Sequence, residues 1–285
     1  MEIDHAAKFL RDNERTVVLK GPWEMFDRVD WSDTPDASDW AWICGLGRSG
    51  TTLMSKMMSA SPDVYIGNET QVIPSIIGML LSEYYYEPND GTICYTFCNN
   101  DGWTGAGIRA FADAWRKARC GSAKIVGDKA VVYWSKRWMW RQIFPNSSFI
   151  YTFRHPLDNV VSLLNMPGGW TTVKYDHTDE SALRIWENVV KTLITQLELA
   201  ISENMLLFNY DLMDDPDAAV DGVHTIFERL GIDPPPAAAI TEFVRPKISD
   251  WREGGDVLEI IRKANDPETM SLLENWDEYV ARVLG

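Results

Sequence analysis

The sequence predicts an α/β fold, a three-layer sandwich in which a central, mostly parallel sheet of about five strands carries helices on both faces. Three observations lead there. Short apolar runs of strand length recur along the chain, segments with apolar residues at helical spacing separate them, and polar or charged residues collect where the runs end. In such sheets ligands lie beyond the C-terminal ends of the strands, so the residues at those ends are the ones to weigh.

Residues 1 to 38 are polar and interrupted by Gly21, Pro22 and Pro35, and are expected to form an irregular arm over the body. Ala41 to Leu46 (AWICGL) is apolar throughout, as in strands buried on both faces. Gly-rich turn residues follow, then TTLMSKMMSA, whose Leu53, Met54, Met57 and Met58 fall on one helical face. Val64 to Ile66 is a second strand candidate, ending in Gly67-Asn68-Glu69-Thr70, and a helix is expected from about Val72. Gly102 to Arg119 has a helical pattern, and Ala123 to Lys129 (AKIVGDK) reads as a strand with charges at its end. Ser147 to Pro156 repeats that theme, an apolar run followed by Arg154. A long helix carries Leu183, Trp186, Val189, Val190, Leu193 and Leu197 on one face, Asn204 to Asp211 gives a fifth strand, and Pro216 to Leu230 a helix closed by Gly231. Pro234-Pro235-Pro236 marks a turn, and Leu272, Leu273, Trp276, Tyr279, Val280 and Val283 make a final helix amphipathic. No repeat and no shift of composition divides the chain, so a single domain over 1–285 is expected, with a core over 40–232 and a C-terminal loop and helix over 233–285.

Charge and composition exclude several classes of function. The 285 residues include 27 Lys+Arg and 42 Asp+Glu, a formal net charge of −15, whose field would repel a nucleic acid. Apolar residues make up 45% and charged residues 24%, enough for a real core and incompatible with disorder as the dominant state. The best apolar run, Val72 to Leu81, is broken by Pro74, Ser75 and Gly78 and is too short to span a bilayer. The opening MEIDHAAKFLRDNERT has charges where a signal peptide needs an apolar segment, so a soluble cytoplasmic protein is expected. Four cysteines (Cys44, Cys94, Cys98, Cys120) are too sparse for a disulfide scaffold, and a lone C-x3-C does not make a zinc site, so no metal is expected and Cys94 and Cys98 read as buried thiols. The sequence permits a homodimer without requiring one.

The most informative segment is Gly45-Leu46-Gly47-Arg48-Ser49-Gly50-Thr51-Thr52, between the first strand and its helix, where backbone N–H groups and a helix N-terminus gather around an anion. Gly45-x4-Gly50 has the spacing of a P-loop, but Thr51 stands where the lysine of a nucleoside triphosphatase would be. Arg48 and three hydroxyls suit a phosphate joined to a second tetrahedral oxyanion of lower charge. The bland alternative, a Gly-rich turn without a ligand, leaves those groups unexplained.

GRSGTTLM followed by SASPDVYIGNETQVIP resembles the sulfotransferases that use 3′-phosphoadenosine 5′-phosphosulfate (PAPS), and most closely the tyrosylprotein sulfotransferase-like branch. The match is tightest over Gly47 to Pro74 and extends through GDK (Gly127 to Lys129), FRHPLDNVVSLL (Phe153 to Leu164) and NYDLM (Asn209 to Met213). It implies a P-loop-like fold and a PAPS-dependent transfer to a hydroxyl with no metal. By the same resemblance Gly47, Arg48, Ser49, Gly50, Thr51, Thr52 and Leu53 surround the 5′-phosphosulfate, and the R-x7-S spacing from Arg154 to Ser162 forms a clamp on the 3′-phosphate. Tyr210 falls where the family has a tyrosine near the nucleotide, and an ordinary strand-end aromatic is the other reading. RPKISDWREGG (Arg245 to Gly255) is similar to a basic loop that closes over the nucleotide, which assigns Lys247, Ser249 and Trp251, against a default of solvated loop.

The resemblance also names the reacting groups. Glu69 would be the general base, accepting the acceptor proton as the S–O bond forms. Lys129 would stand by the bridging oxygen, where charge grows as the phosphate leaves, and Arg48 would assist it. Their alternatives are a surface glutamate and a structural ion pair. His5 and His155 are set aside as bases on their positions in the arm and the arginine turn, and His177, in a loop, is the substitute base left as an alternative.

The chain departs from the tyrosylprotein pattern where an acidic peptide would bind. In place of E-T-R-x-I-P-R it has Glu69-Thr70-Gln71-Val72-Ile73-Pro74-Ser75, both basic positions being neutral, and Ile66 and Val126 align with the half-cystines of that branch. A small hydroxylated acceptor is therefore expected, with Gln71, Trp103 and Trp170 among the residues shaping its pocket, in the segments Glu83 to Trp103 and Asn165 to His177. Thirteen tryptophans and net acidity leave room for a cationic alcohol. The alternatives are a peptide tyrosine as acceptor, a P-loop-like small-molecule kinase that binds ATP, and a non-catalytic nucleotide-binding protein.

Overall fold

The computed structural model describes residues 30–69, 120–131, 133–164, 179–244 and 267–284, scattered residues over 109–117 and 259–263, and the strand backbones 17–20, 82–86 and 93–97. The expected helix from Val72 and the buried thiol of Cys98 lie outside the described residues. Cys44 and Cys120 are buried as thiols.

All five expected strands form, and they make one parallel sheet. They are β2 (Trp40–Gly45), β3 (Val64–Asn68), β6 (Ile125–Lys129), β7 (Ser148–Phe153) and β8 (Leu206–Asn209), in the order β3-β6-β2-β7-β8. The pairs β2–β6, β3–β6 and β7–β8 are parallel, with Ile43 and Asn68 both opposite Lys129, and Phe153 opposite Asn209. Every residue of β2 and of β6 is buried, which explains the apolar run of β2 and places the Asp128 and Lys129 that end β6 among the buried charges, while β8 alternates buried with half-exposed residues as an edge strand does. At Ala41–Gly127 the two strands run so close that a Cβ on Gly127 would overlap the Ala41 carbonyl oxygen.

Chain order against strand order locates the ligand crevice. From β2 the chain crosses through α1 (Thr51–Met58) to β3 on one side, whereas from β7 it crosses through α3 (Pro156–Leu164) and α4 (Asp179–Ser202) to β8 on the other. Right-handed crossovers in opposite directions put α1 on one face and α3 and α4 on the other. The C-terminal ends of β2 and β7 thus flank the topological switch point, the place where open α/β sheets hold ligands. Between β6 and β7 lies α2 (Tyr133–Ile143).

The chain divides into two compact units, each drawn from two stretches: Met1–Ile43 with Ser61–Ser148, and Cys44–Ala60 with Phe149–Gly285. In the first, Trp40, Trp42 and Phe144 form an aromatic cluster with centroids 4.6 to 5.4 Å apart. The Arg109 guanidinium lies over Trp40 and Phe144 and pairs with Asp39 and Asp113, and Arg116 also pairs with Asp39. Within the expected 102–119 helix, positions 109, 112, 113, 116 and 117 are helical.

In the second unit the helices follow the sequence closely. On α4, Trp186, Val189, Val190, Leu193 and Leu197 are buried as the periodicity requires. After a 3-10 turn over Tyr210–Asp214 comes α5 (Pro216–Leu230), capped by the Asp215 carboxylate, which accepts from the amides of Asp217 and Ala218, and closed by Gly231 at φ 71°. A short α6 (Ala237–Thr241) follows.

Two expectations are corrected. The arm is not irregular throughout, because β1 (Val17–Lys20) pairs in parallel with β5 (Ile93–Phe97), itself antiparallel to β4 (Ser82–Tyr86), in a second sheet of order β1-β5-β4. The segment from Glu83 to Trp103, expected to help shape the acceptor pocket, thus contributes strand backbone at 83–86 and 93–97, in keeping with the aromatic and β-branched content of Tyr84–Tyr86 and Ile93–Phe97. The final amphipathic segment is two helices, α7 (Pro267–Glu274) and α8 (Trp276–Leu284), broken at Asn275.

Candidate functional site

The loop after β2 leads into a helix N-terminus that no side chain caps. Gly45 lets the chain leave the sheet against β7, since a Cβ there would overlap the Thr152 carbonyl and crowd the side chains of Thr152 and Ser49. Thr152 Oγ1 donates to the Cys44 carbonyl at 3.4 Å, so its partner at 3.0 Å, the fully buried Ser49 hydroxyl, donates to it. Ser49 thus pins the loop by its side chain. Arg48, at φ 71°, and Gly50, at φ 91°, turn the chain outward into α1. No side chain caps α1 and its first turn holds no acidic residue, so the amides of Thr51, Thr52 and Leu53 stand at the positive end of a helix that side chains leave uncapped. Gly47 is buried.

A serine, an arginine and a tyrosine meet this loop from three other segments. Arg48 Nε donates to Ser162 Oγ on α3 at 3.0 Å, leaving the serine proton able to donate elsewhere. Arg154 ends β7 almost fully buried, its guanidinium 5.0 Å above the Tyr210 ring. That ring in turn lies on Gly50, where any Cβ would overlap it. Tyr210 is therefore wedged between the loop glycine and the arginine, a contact that accounts for both the glycine and the aromatic. The R-x7-S pair and the Gly-rich loop, separate motifs in the sequence, form one polar cluster.

The arginine turn has a framework that the motif reading passed over. The His155 amide donates to Asp211 Oδ2 at 2.8 Å, and the Asp211 amide donates to Asn209 Oδ1 at 3.0 Å. Asn-x-Asp at the end of a strand is a recognisable side-chain-to-backbone turn signal, and it could have marked Asp211. His155 is buried, with both ring nitrogens engaged.

In the other unit, Glu69 and Lys129 form a pair. Glu69 follows β3 directly, in the left-handed region at φ 54°, its amide donating to the Lys129 carbonyl at 2.8 Å. Lys129 Nζ donates to Glu69 Oε1 at 2.7 Å, and the lysine side chain is 3% exposed against 56% for the glutamate. A buried ammonium needs a counter-charge, and here an accessible carboxylate supplies it, held in place by backbone and side chain together. Gln71, Trp103, Trp170, Lys247, Ser249 and Trp251 lie outside the described residues. Among the described residues no group of three or more His, Cys, Asp or Glu side chains converges as a metal site, and no helix is long and apolar enough to cross a membrane.

Comparison with known proteins gives a consistent family. The model of the family described as "Sulfotransferase family" matches residues 41–235. Protein-tyrosine sulfotransferase A of Caenorhabditis elegans is 26% identical over 193 residues, covering 64% of this chain and 47% of that protein. Protein-tyrosine sulfotransferase 2 of Gallus gallus is 24% identical over 244 residues, covering 84% and 63%. The chain thus spans between about half and two thirds of the length of these relatives. Among solved structures, the sulfotransferase domain from the curacin biosynthetic pathway has a TM-score of 0.49 at 16% identity, covering 79% of this chain and 82% of that one. A sulfotransferase from Alicyclobacillus acidocaldarius has a TM-score of 0.44 at 16% identity, covering 75% and 98%.

Proposed function

The chain belongs to the sulfotransferase family, and on that premise we propose that it moves the sulfuryl group of PAPS to the hydroxyl of a small acceptor by direct in-line displacement at sulfur. The observation that carries the proposal is the convergence of Arg48, Ser162, Arg154 and Tyr210 on an uncapped helix N-terminus at the sheet's switch point. PAPS supplies a sulfuryl group already activated on a phosphate leaving group. The residues present fit that donor, because they offer amides, two guanidiniums and a hydroxyl to two separate anionic groups.

In this reading the amides of Thr51, Thr52 and Leu53 with Arg48 hold the 5′-phosphosulfate, and Arg154 with Ser162 holds the 3′-phosphate. Glu69 takes the acceptor proton as the acceptor oxygen bonds to sulfur, while the bond from sulfur to the bridging oxygen breaks. Lys129 and Arg48 meet the charge left on the phosphate, an interaction stronger in the transition state than before it. Positioning and electrostatics carry the rate, as in phosphoryl transfer.

Support for a small acceptor comes from Gln71 and Ser75, neutral where the tyrosylprotein pattern is basic, and from the net charge of −15, which disfavours an acidic peptide. A second reading, a peptide tyrosine, is favoured by the names of the relatives, which are protein-tyrosine sulfotransferases. Incubating the protein with sulfur-labelled PAPS and a panel of neutral phenols, aliphatic alcohols, choline-like alcohols and acidic tyrosine peptides separates them. Label on phenols or alcohols is expected. Label confined to the peptides would replace the acceptor assignment, and phosphoryl transfer from ATP·Mg in its stead would replace the family reaction with a kinase one. The cytoplasmic location expected from the sequence stands as part of the same proposal.

A further inference from the structure

His155 joins two helices through one ring. Its carbonyl accepts the Asn159 amide at 3.0 Å, the first turn of α3, and its Nδ1 faces the Leu157 amide at 3.2 Å. That amide can only donate, so Nδ1 accepts, which makes His155 a side-chain N-cap for the helix that carries Ser162. On the other side of the ring Nε2 lies 3.0 Å from the Leu273 carbonyl, in the last turn of α7. A carbonyl can only accept, so Nε2 carries the proton and satisfies one of the acceptors that a helix C-terminus leaves open. The Trp276 indole, at the start of α8, meets the same ring edge-on with centroids 5.9 Å apart. Residues 267 to 284 lie outside the stretch that the family model matches, 41–235.

From this geometry we infer that His155 is a positioning residue through which the C-terminal helix pair α7–α8 sets the donor-binding clamp. Its backbone follows Arg154 directly, its side chain fixes the start of the helix bearing Ser162, and its far nitrogen is anchored on α7. An asparagine, aspartate or serine, the usual N-caps, would hold the helix start equally well. Only a longer side chain with a second polar atom reaches Leu273 as well, and that is the specific use of histidine here. The inference rests on the donor-binding reading above, in which Arg154 and Ser162 hold the 3′-phosphate.

The test separates the two nitrogens. His155→Asn retains an N-cap for α3 and loses the anchor on α7, whereas His155→Gln keeps an N–H within reach of the Leu273 carbonyl. For His155→Asn, affinity for adenosine 3′,5′-bisphosphate is expected to fall about fivefold or more, the worth of one hydrogen bond. Turnover at saturating PAPS should stay near wild type, so the effect falls on KM, and His155→Gln should recover part of it. In the wild-type protein, bisphosphate binding should also slow amide hydrogen exchange across residues 267–284, since coupling is reciprocal. Wild-type affinity in His155→Asn overturns the inference, as does exchange over 267–284 that ignores the ligand, which decides the matter should the variant fail to fold. If the wild-type protein does not bind the bisphosphate, the donor reading itself falls and takes this inference with it. Weakened binding in Arg154→Gln alone, with His155→Asn unaffected, removes the inference and leaves the donor reading intact.

Discussion

Glu69 takes a left-handed backbone conformation that costs a non-glycine residue on the order of 1–2 kcal/mol, and its carboxylate is fixed there by Lys129. A positioned, half-exposed carboxylate suits proton transfer, so Glu69→Gln is expected to lower turnover by about a hundredfold or more. Bisphosphate affinity should change less than about twofold, within the error of a single lost contact; steady-state kinetics beside calorimetry read both, and undiminished turnover contradicts the assigned base. Gly50 supports a sharper expectation, because its φ of 91° and the Tyr210 ring leave no room for a Cβ. Gly50→Ala should weaken bisphosphate binding by about tenfold, the equivalent of the 1–2 kcal/mol of backbone strain it adds, and unchanged affinity would show that the loop tolerates displacement of Tyr210. At this scale the sequence was informative about identity and silent about mode. Arg48, Arg154 and Ser162 are marked by the resemblance and its motifs, yet no motif says that Arg48 bonds Ser162 or that Tyr210 lies against Arg154, because both contacts join residues far apart in the chain. His155 was passed over because a histidine's role depends on what its two nitrogens meet, and one partner lies on α7.

Among the elements, local signals and tertiary structure agree best where capping chemistry is complete. Asp215, Pro216 and Gly231 bound α5 within a residue of the sequence expectation, since cap, ring and left-handed closure are all local. Asp215→Ala should remove two amide contacts and cost about 1 kcal/mol, lowering the melting temperature by about 2–4 °C in calorimetry; no shift would mean that tertiary packing holds that helix end. Of the strands of the main sheet, β2 and β7 are legible because near-complete burial writes itself as an apolar run, and β3, β6 and β8 because shorter apolar runs end in polar or charged residues. The second sheet was not, since its strands mix tyrosine, threonine and cysteine with polar residues and their pairing depends on partners more than 70 residues apart for β1 and β5. A single amphipathic stripe from Leu272 to Val283 hid the break at Asn275, because periodicity carries across a short interruption when both helices face the same core.

On the scale of the whole molecule, the charge of −15 sets what approaches it. With PAPS saturating, kcat/KM for an acidic tyrosine peptide should rise as salt goes from about 0.02 to 0.2 M, where the screening length shortens to roughly 10 Å or less, while that for a neutral phenol stays level. A peptide rate that falls with salt would mean that a local basic surface recruits it, and would favour the peptide acceptor. The account as a whole depends on the nature of the anion held where β2 and β7 end. Isothermal titration of the protein with adenosine 3′,5′-bisphosphate and, separately, with ATP·Mg tests this most directly. The bisphosphate should bind in the micromolar range, on the order of −8 kcal/mol, and lose most of that affinity in Arg154→Gln. Binding of the bisphosphate only at millimolar levels, beside tight binding of ATP·Mg, would contradict it.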